Sequence, residues 1–206
     1  MKKLAFFVIA ALVASFATAK DFSKVAAKEA KKYAKEGWIV SPGALPLEYQ
    51  LEEAYNLQYE KDDNSYPVYL SGMAQSVGET IDAAKFQALE LAKINIASQL
   101  KSQVTGLVDN SVANNQLPKE QAESVTKTVS ALKTLIPATE LERVVTVVEC
   151  YRELPKKRKE FLIRIFYNRE KAMAAASRTI KEEMARNGLE KEAKDLHEKL
   201  DKILGY

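Results

Sequence analysis

The sequence predicts an α+β fold: a small antiparallel sheet of about three strands packed against a long Ala-rich helix, with further helices at both termini. Three observations predict it. Thr80 to Leu107 is free of proline and carries Ala84, Ala88, Leu91, Ala92, Leu100 and Leu107 at helical spacings. Three runs rich in β-branched and aromatic residues lie elsewhere, at Tyr66 to Val77, Leu141 to Glu153 and Glu160 to Asn168. The last two are separated only by the turn Leu154 to Lys159, which makes them an antiparallel hairpin.

The elements follow in order. Lys20 to Glu36 has neither glycine nor proline and is rich in Ala and Lys, so it reads as a helix ending at Gly37. At 100° per residue Lys24, Lys28, Lys31 and Lys35 form one stripe, with Phe22, Ala26 and Tyr33 opposite. Gly37 to Leu47 contains Gly37, Pro42, Gly43 and Pro46 and reads as an irregular connection. Pro46 suits the first turn of a short helix through Leu47, Leu51, Ala54, Tyr55 and Gln58, which Asp62, Asp63, Asn64 and Ser65 end in a turn.

The first strand, Tyr66 to Val77, is expected to loosen at Gly72. Thr80 is the expected N-cap of the long helix, whose apolar positions drift around its axis, so it should touch both a sheet and another helix. Asn114 and Asn115 break it, and Pro118 starts a helix carrying Ala122, Val125, Val129 and Leu132 that stops before Pro137. After the hairpin, Asn168 caps a last helical region interrupted at Asn187 and Gly188. Beyond it Leu189, Ala193, Leu196, Leu200 and Ile203 are spaced four, three, four and three, a short coiled-coil seam that would serve a homo-oligomer or cover the chain's own sheet. The order of elements predicts two layers, with the helices on one face of the sheet.

The N-terminus predicts export. Lys2 and Lys3 precede an apolar run from Leu4 to Phe16 and the small residues Ala17-Thr18-Ala19, the three parts of a cleavable signal peptide. The run is shorter than the roughly 20 residues that span a bilayer. Residues 1–19 are therefore expected to be a leader, 20–65 a helical and aromatic-rich segment, 66–187 the α+β core and 188–206 a C-terminal helix. Cleavage after Ala19 leaves 29 basic against 28 acidic residues, a nearly neutral body without the basic face that nucleic-acid binding needs. The one cysteine, Cys150, forms no internal disulfide, so stability must come from packing.

The segment from Tyr69 to Leu107, YLSGMAQSVGETIDAAKFQALELAKINIASQLKSQVTGL, resembles the core of the Lpp-twenty family of small bacterial outer-membrane lipoproteins: strand, glycine, short loop, long Ala-rich helix. It is also similar to the N-terminal domain of the flagellar assembly protein T. The resemblance implies a non-enzymatic role in the envelope and carries over no catalytic residue. The lipobox cysteine is missing here, so the family's lipid anchor is not implied.

Candidate chemistry is sparse. Cys150 and the lone His197 would make a nucleophilic pair only if the fold joined them, and Cys150 sits in a valine-rich strand that suits a buried thiol. His197-Glu198 opens like the zinc motif H-E-x-x-H, but Asp201 stands where the second histidine belongs. Asp62, Asp63 and Asn64 lack the spacing of a calcium loop. The neighbours Glu52-Glu53 and Glu182-Glu183 point about 100° apart on a helix, unlike the facing acids of a cell-wall hydrolase. No catalytic, cofactor-binding or metal-binding residue is expected.

Two surfaces stand out. Tyr33, Trp38, Tyr49, Tyr55, Tyr59, Tyr66 and Tyr69 concentrate aromatic area in one segment, and Trp38, Tyr49, Tyr55 and Tyr59 are the candidate partner surface for an envelope protein or glycan. Lys156, Lys157, Arg158 and Lys159 place four positive charges in the hairpin turn, a candidate contact for anionic lipid. The expectation is a non-catalytic exported protein, periplasmic, outer-membrane-associated or secreted, that acts by binding or self-association. The alternatives are a hydrolase using paired carboxylates and an anionic-lipid surface binder.

Overall fold

The computed structural model describes residues 21–114 and 144–186, together with residues 119, 120, 123 and 125–127. The expected leader, residues 1–19, and the expected seam Leu189, Leu196, Leu200 and Ile203 lie outside the described residues, as does most of the segment from Pro118 to Pro137. The elements are α1 (Ser23–Lys35), β1 (Ile39–Val40), α2 (Leu47–Tyr59), β2 (Tyr69–Gly78), α3 (Ile81–Ala113), β3 (Val145–Glu153), β4 (Lys159–Asn168) and α4 (Arg169–Arg186). All pairings are antiparallel, in the order β1-β3-β4-β2.

The class is as the sequence predicts, with two corrections. The sheet has four strands, because Ile39 and Val40 leave the Gly37–Leu47 connection to pair with Tyr151 and Cys150. Two residues are too few to show a period. Helices also cover both faces of the sheet, as the central strand β4 records. Its Phe161, Ile163, Ile165 and Tyr167 join a core with α3 and α4, whereas Leu162 and Phe166 point the other way into a core with Trp38, Leu47, Leu51, Ala54, Val148 and Cys150. The nearly continuous apolar run F-L-I-R-I-F-Y is what a strand buried on both sides requires.

On one face α3 lies against β2 and β4, then reaches α4. Ala84, Ala88, Ala92, Ile96, Leu100, Val104 and Val108 are buried, one every four residues, with Ala97 buried beside the stripe. Four residues turn a helix by 400°, so the stripe advances about 40° at each step and meets the sheet first and a helix later. Gly72 does not loosen β2. It pairs regularly with Ile165, and its missing side chain lets the helix close: a Cβ there would stand 2.1 Å from the Ala92 carbonyl oxygen. Thr80 Oγ1 accepts from Ala83 N–H at 3.1 Å and Asn168 Oδ1 from Lys171 N–H at 2.9 Å, so both expected caps form.

Among the described residues no strand pairs with the outer edge of β2, and such an edge exposes carbonyls to another chain. Asn95 Nδ2 donates to Met73 O at 2.8 Å and Gln99 Nε2 to Ser71 O at 2.7 Å, and both amides come from α3. The long helix thus closes part of the edge it packs beside.

On the other face α2 packs on β3, and α1 packs on α2. Gln50, one of the few buried polar residues, accepts from Glu149 N–H at 2.7 Å and donates to Leu45 O. Among the described residues β1 pairs with Cys150 and Tyr151 alone, so on that side Glu149 N–H takes the Gln50 side chain, while its other side pairs with Ile163 of β4.

Candidate functional site

Helix α1 does not lie flat on the sheet. It leans on α2 and leaves a groove between its own flank and the hairpin end of the sheet. The groove encloses about 880 Å³ and is lined by Val25, Glu29 and Tyr33 of α1 and Glu36 at its C-terminal cap, by the rim lysines Lys28, Lys31, Lys32 and Lys35, by Trp38 and Tyr55, and by Gln75 and Arg152 from the sheet. At 100° per residue Val25, Glu29, Tyr33 and Glu36 fall within about 80° on the inner side of the helix, and the lysines form the adjoining stripe. On β2, Met73 and Val77 alternate with Ala74 and Ser76 on the same side as Gln75, and both are exposed.

Arg152 closes one end. Its Nε donates to Glu160 Oε2 at 2.7 Å, its Nη1 reaches the Glu36 carbonyl at 3.4 Å, and its guanidinium lies 4.7 Å from the centre of the Trp38 ring. Tyr33 meets that ring edge-on at 6.1 Å. At the other end Phe22 stacks on Tyr55 and Tyr59, which stack on each other.

Beneath α1 lies a charge inside an apolar strand. Arg164 sits between Leu162 and Phe166 on the α1 and α2 side of β4, donates to Gln58 and spreads over the Phe166 ring. Burial lowers its pKa, opposed by the nearby Glu29 carboxylate. Glu29 in turn accepts from the Tyr55 hydroxyl. That hydrogen bond, with burial adding to it, pushes the Tyr55 phenol up to about 12. Burial, then Glu29, raises Tyr33 as well.

These shifts have a direction in pH. Tyr33, Tyr55 and Cys150 all hold their protons more tightly in the fold than in the open chain, so the folded state binds more protons over the range in which they titrate. Their contribution to stability is full below about pH 9, the ordinary thiol value, and falls as pH rises toward 12. Melting temperatures measured from pH 8 to pH 11.5 should fall steadily, and a spectrophotometric titration should show Tyr55 still protonated above pH 10, the ordinary phenol value. A flat melting temperature across that range contradicts the assignment.

The aromatic candidates separate. Trp38 is 6% exposed and belongs to the core as well as to the groove wall. Tyr55 is half-buried and lines the groove, and the exposed Tyr59 stacks beside it. Tyr49 is exposed elsewhere on α2, and among the described residues no ring contact joins it to the others. In the hairpin turn Lys156, Lys157 and Arg158 are exposed, while Lys159 is half-buried and ion-paired with Glu153. Lys156 and Lys157 have φ of 64° and 58°, a left-handed backbone that suits Gly or Asn better than Lys.

Cys150 is buried, and burial pushes its thiol up to about 12. In the folded protein it should react with an aromatic disulfide reagent no faster than the chain unfolds; stoichiometric reaction within seconds in native buffer contradicts this burial. His197 lies outside the described residues. Glu52-Glu53 and Glu182-Glu183 are on α2 and α4, on opposite faces of the sheet, and neither pair lines the groove. Asp62 Oδ1 instead organises its own turn, accepting from Asn64 N–H at 2.9 Å and Tyr66 N–H at 2.8 Å. Among the described residues no three His, Cys, Asp or Glu side chains gather as a metal site, and no helix is long and apolar enough to cross a membrane.

Comparison with protein families, with curated proteins and with solved structures finds no match to this chain. The groove must therefore speak for itself. Arg152, Arg164, Glu29 and Gln75 were not among the sequence candidates. One signal pointed to them: a lone arginine inside the apolar run of β4 needs partners from a layer above it.

Proposed function

We propose that this chain is a non-catalytic, exported envelope protein that holds another envelope component in the groove between α1 and the sheet. The observation that carries the reading is the groove itself. It has the volume of a binding site, and its lining combines aromatic area with fixed polar groups, the composition of small-ligand and partner sites. The leader-like N-terminus and the likeness of Tyr69 to Leu107 to envelope lipoproteins support the address.

A cell-wall hydrolase would need two carboxylates facing each other across a cleft. The groove's Glu29 and Glu36 stand seven residues apart on the same helix, about 10 Å of rise, and each has a local partner: the Tyr55 hydroxyl for Glu29, and Lys32 at 3.9 Å for Glu36. That arrangement favours holding over cleaving. The test is cellular. Expressed in a bacterium, the chain should begin at Lys20 and fractionate with the envelope, and Lys28→Glu with Lys32→Glu should release it from whatever retains it there. A cytoplasmic protein that still begins at Met1 overturns the proposal.

One observation favours a second reading, contact with anionic lipid through the hairpin turn. Two consecutive lysines in left-handed backbone cost the turn about 1 kcal/mol each, and the three exposed cations at its tip have no acid beside them in the turn. Co-sedimentation with vesicles of phosphatidylglycerol at low salt decides it: binding lost in Lys156→Glu with Lys157→Glu supports it, and no binding ends it.

A further inference from the structure

We infer that the groove takes an acidic oligosaccharide, a chain of sugar rings bearing carboxylate or phosphate groups. The inference rests on the binding role proposed above and names its ligand. Charge is the first argument. The lining carries five cations, Lys28, Lys31, Lys32, Lys35 and Arg152, against the two acids Glu29 and Glu36. The whole chain after its expected leader is close to neutral, so positive charge is concentrated here. Glu29 is engaged by the Tyr55 hydroxyl, Lys32 pairs with Glu36 and Arg152 with Glu160, which leaves Lys28, Lys31 and Lys35 with no ion-pair partner among the described residues.

Shape is the second argument. The inner wall runs from Val25 to Glu36, about 17 Å of helix, so the rim lysines recur at nearly every turn along it. A compact anion would meet one or two of them. An extended chain with a charge on successive rings meets the series, and about 880 Å³ holds several rings.

The third argument is the surface that the rings would touch. The half-buried Tyr33 and Tyr55 offer apolar ring area to the C–H faces of sugars, Trp38 backs the wall behind Arg152, and Gln75 on the floor offers an amide to hydroxyls. An acyl chain would find too many polar groups here. An acidic peptide would use the lysines and leave the rings unexplained.

Titration calorimetry on the full mature chain tests this with three probes of matched length: an oligogalacturonide, the neutral oligogalactoside and an oligoglutamate. The oligogalacturonide should bind at least tenfold more tightly than either of the others and weaken with added salt. Lys28→Glu with Lys32→Glu, both exposed and remote from the core, should weaken it at least tenfold, while Lys156→Glu with Lys157→Glu should change it less than twofold. Equal binding of the neutral sugar, equal binding of the oligoglutamate, or no binding of the oligogalacturonide overturns the glycan assignment. The binding role itself is tested separately, by protection of the groove lysines in envelope extract.

Discussion

Replacing Gly72 by alanine should lower the stability of the protein by about 3 kcal/mol or more, the largest effect expected of any single added methyl group. The new Cβ would stand 2.1 Å from the Ala92 carbonyl oxygen, 2.9 Å from its carbon and 3.0 Å from the Ile96 side chain. Two of those atoms are backbone, so no rotamer change relieves the clash, and α3 must move away from β2. That motion opens the contacts of Ala84, Ala88 and Ala92, which are fully buried because the helix lies so close. Gly106, in the same helix, has nothing within 4 Å of its added Cβ. Gly106→Ala should therefore stabilise by about 1 kcal/mol through helix propensity alone. Urea midpoints for the two variants should move in opposite directions. An unchanged midpoint for Gly72→Ala would mean that α3 does not sit on β2 as described.

Gln50→Leu should cost about 2–4 kcal/mol although it keeps nearly the same volume. It strips a hydrogen bond from two backbone groups at once, Glu149 N–H and Leu45 C=O, and leaves them without that partner in a partly buried layer. A urea midpoint well below that of the wild type identifies the loss as hydrogen bonding, since leucine keeps the apolar contact. A leucine variant as stable as wild type would show that α2 is held to β3 by apolar contact alone.

Much of this architecture was legible because its signals are local. The caps Thr80 and Asn168, the hairpin and the drift of apolar positions along α3 are each written within one element or one turn. The burial of Cys150 followed from its valine-rich strand. Features set by distant segments were not legible. β1 is two residues long and exists because β3 offers it an edge. The second helical layer could be read only from β4, whose apolar residues fill both alternations of the strand, and the expectation of helices on one face did not weigh that pattern.

The groove was half legible. The Lys-striped helix and the cluster of tyrosines were visible as residues, and Trp38 and Tyr55 do line the groove. Its floor was invisible, because Gln75 and Arg152 are 77 positions apart and meet only through the β2-β4-β3 register: Gln75 faces Leu162, and Arg152 faces Glu160. Trp38 shows the cost of counting aromatics without a fold. Its ring is mostly buried, and it shapes the groove wall together with Arg152 rather than standing out as a surface.

Lysine footprinting shows whether binding happens under α1. The protein from Lys20 onward would be treated briefly with an amine-reactive label, with and without soluble envelope extract, and the modified positions read by mass spectrometry. The account predicts that Lys28, Lys31, Lys32 and Lys35 become protected while Lys156 and Lys157 stay reactive. Protection confined to the hairpin lysines, or equal labelling of the α1 lysines with and without extract, would contradict it.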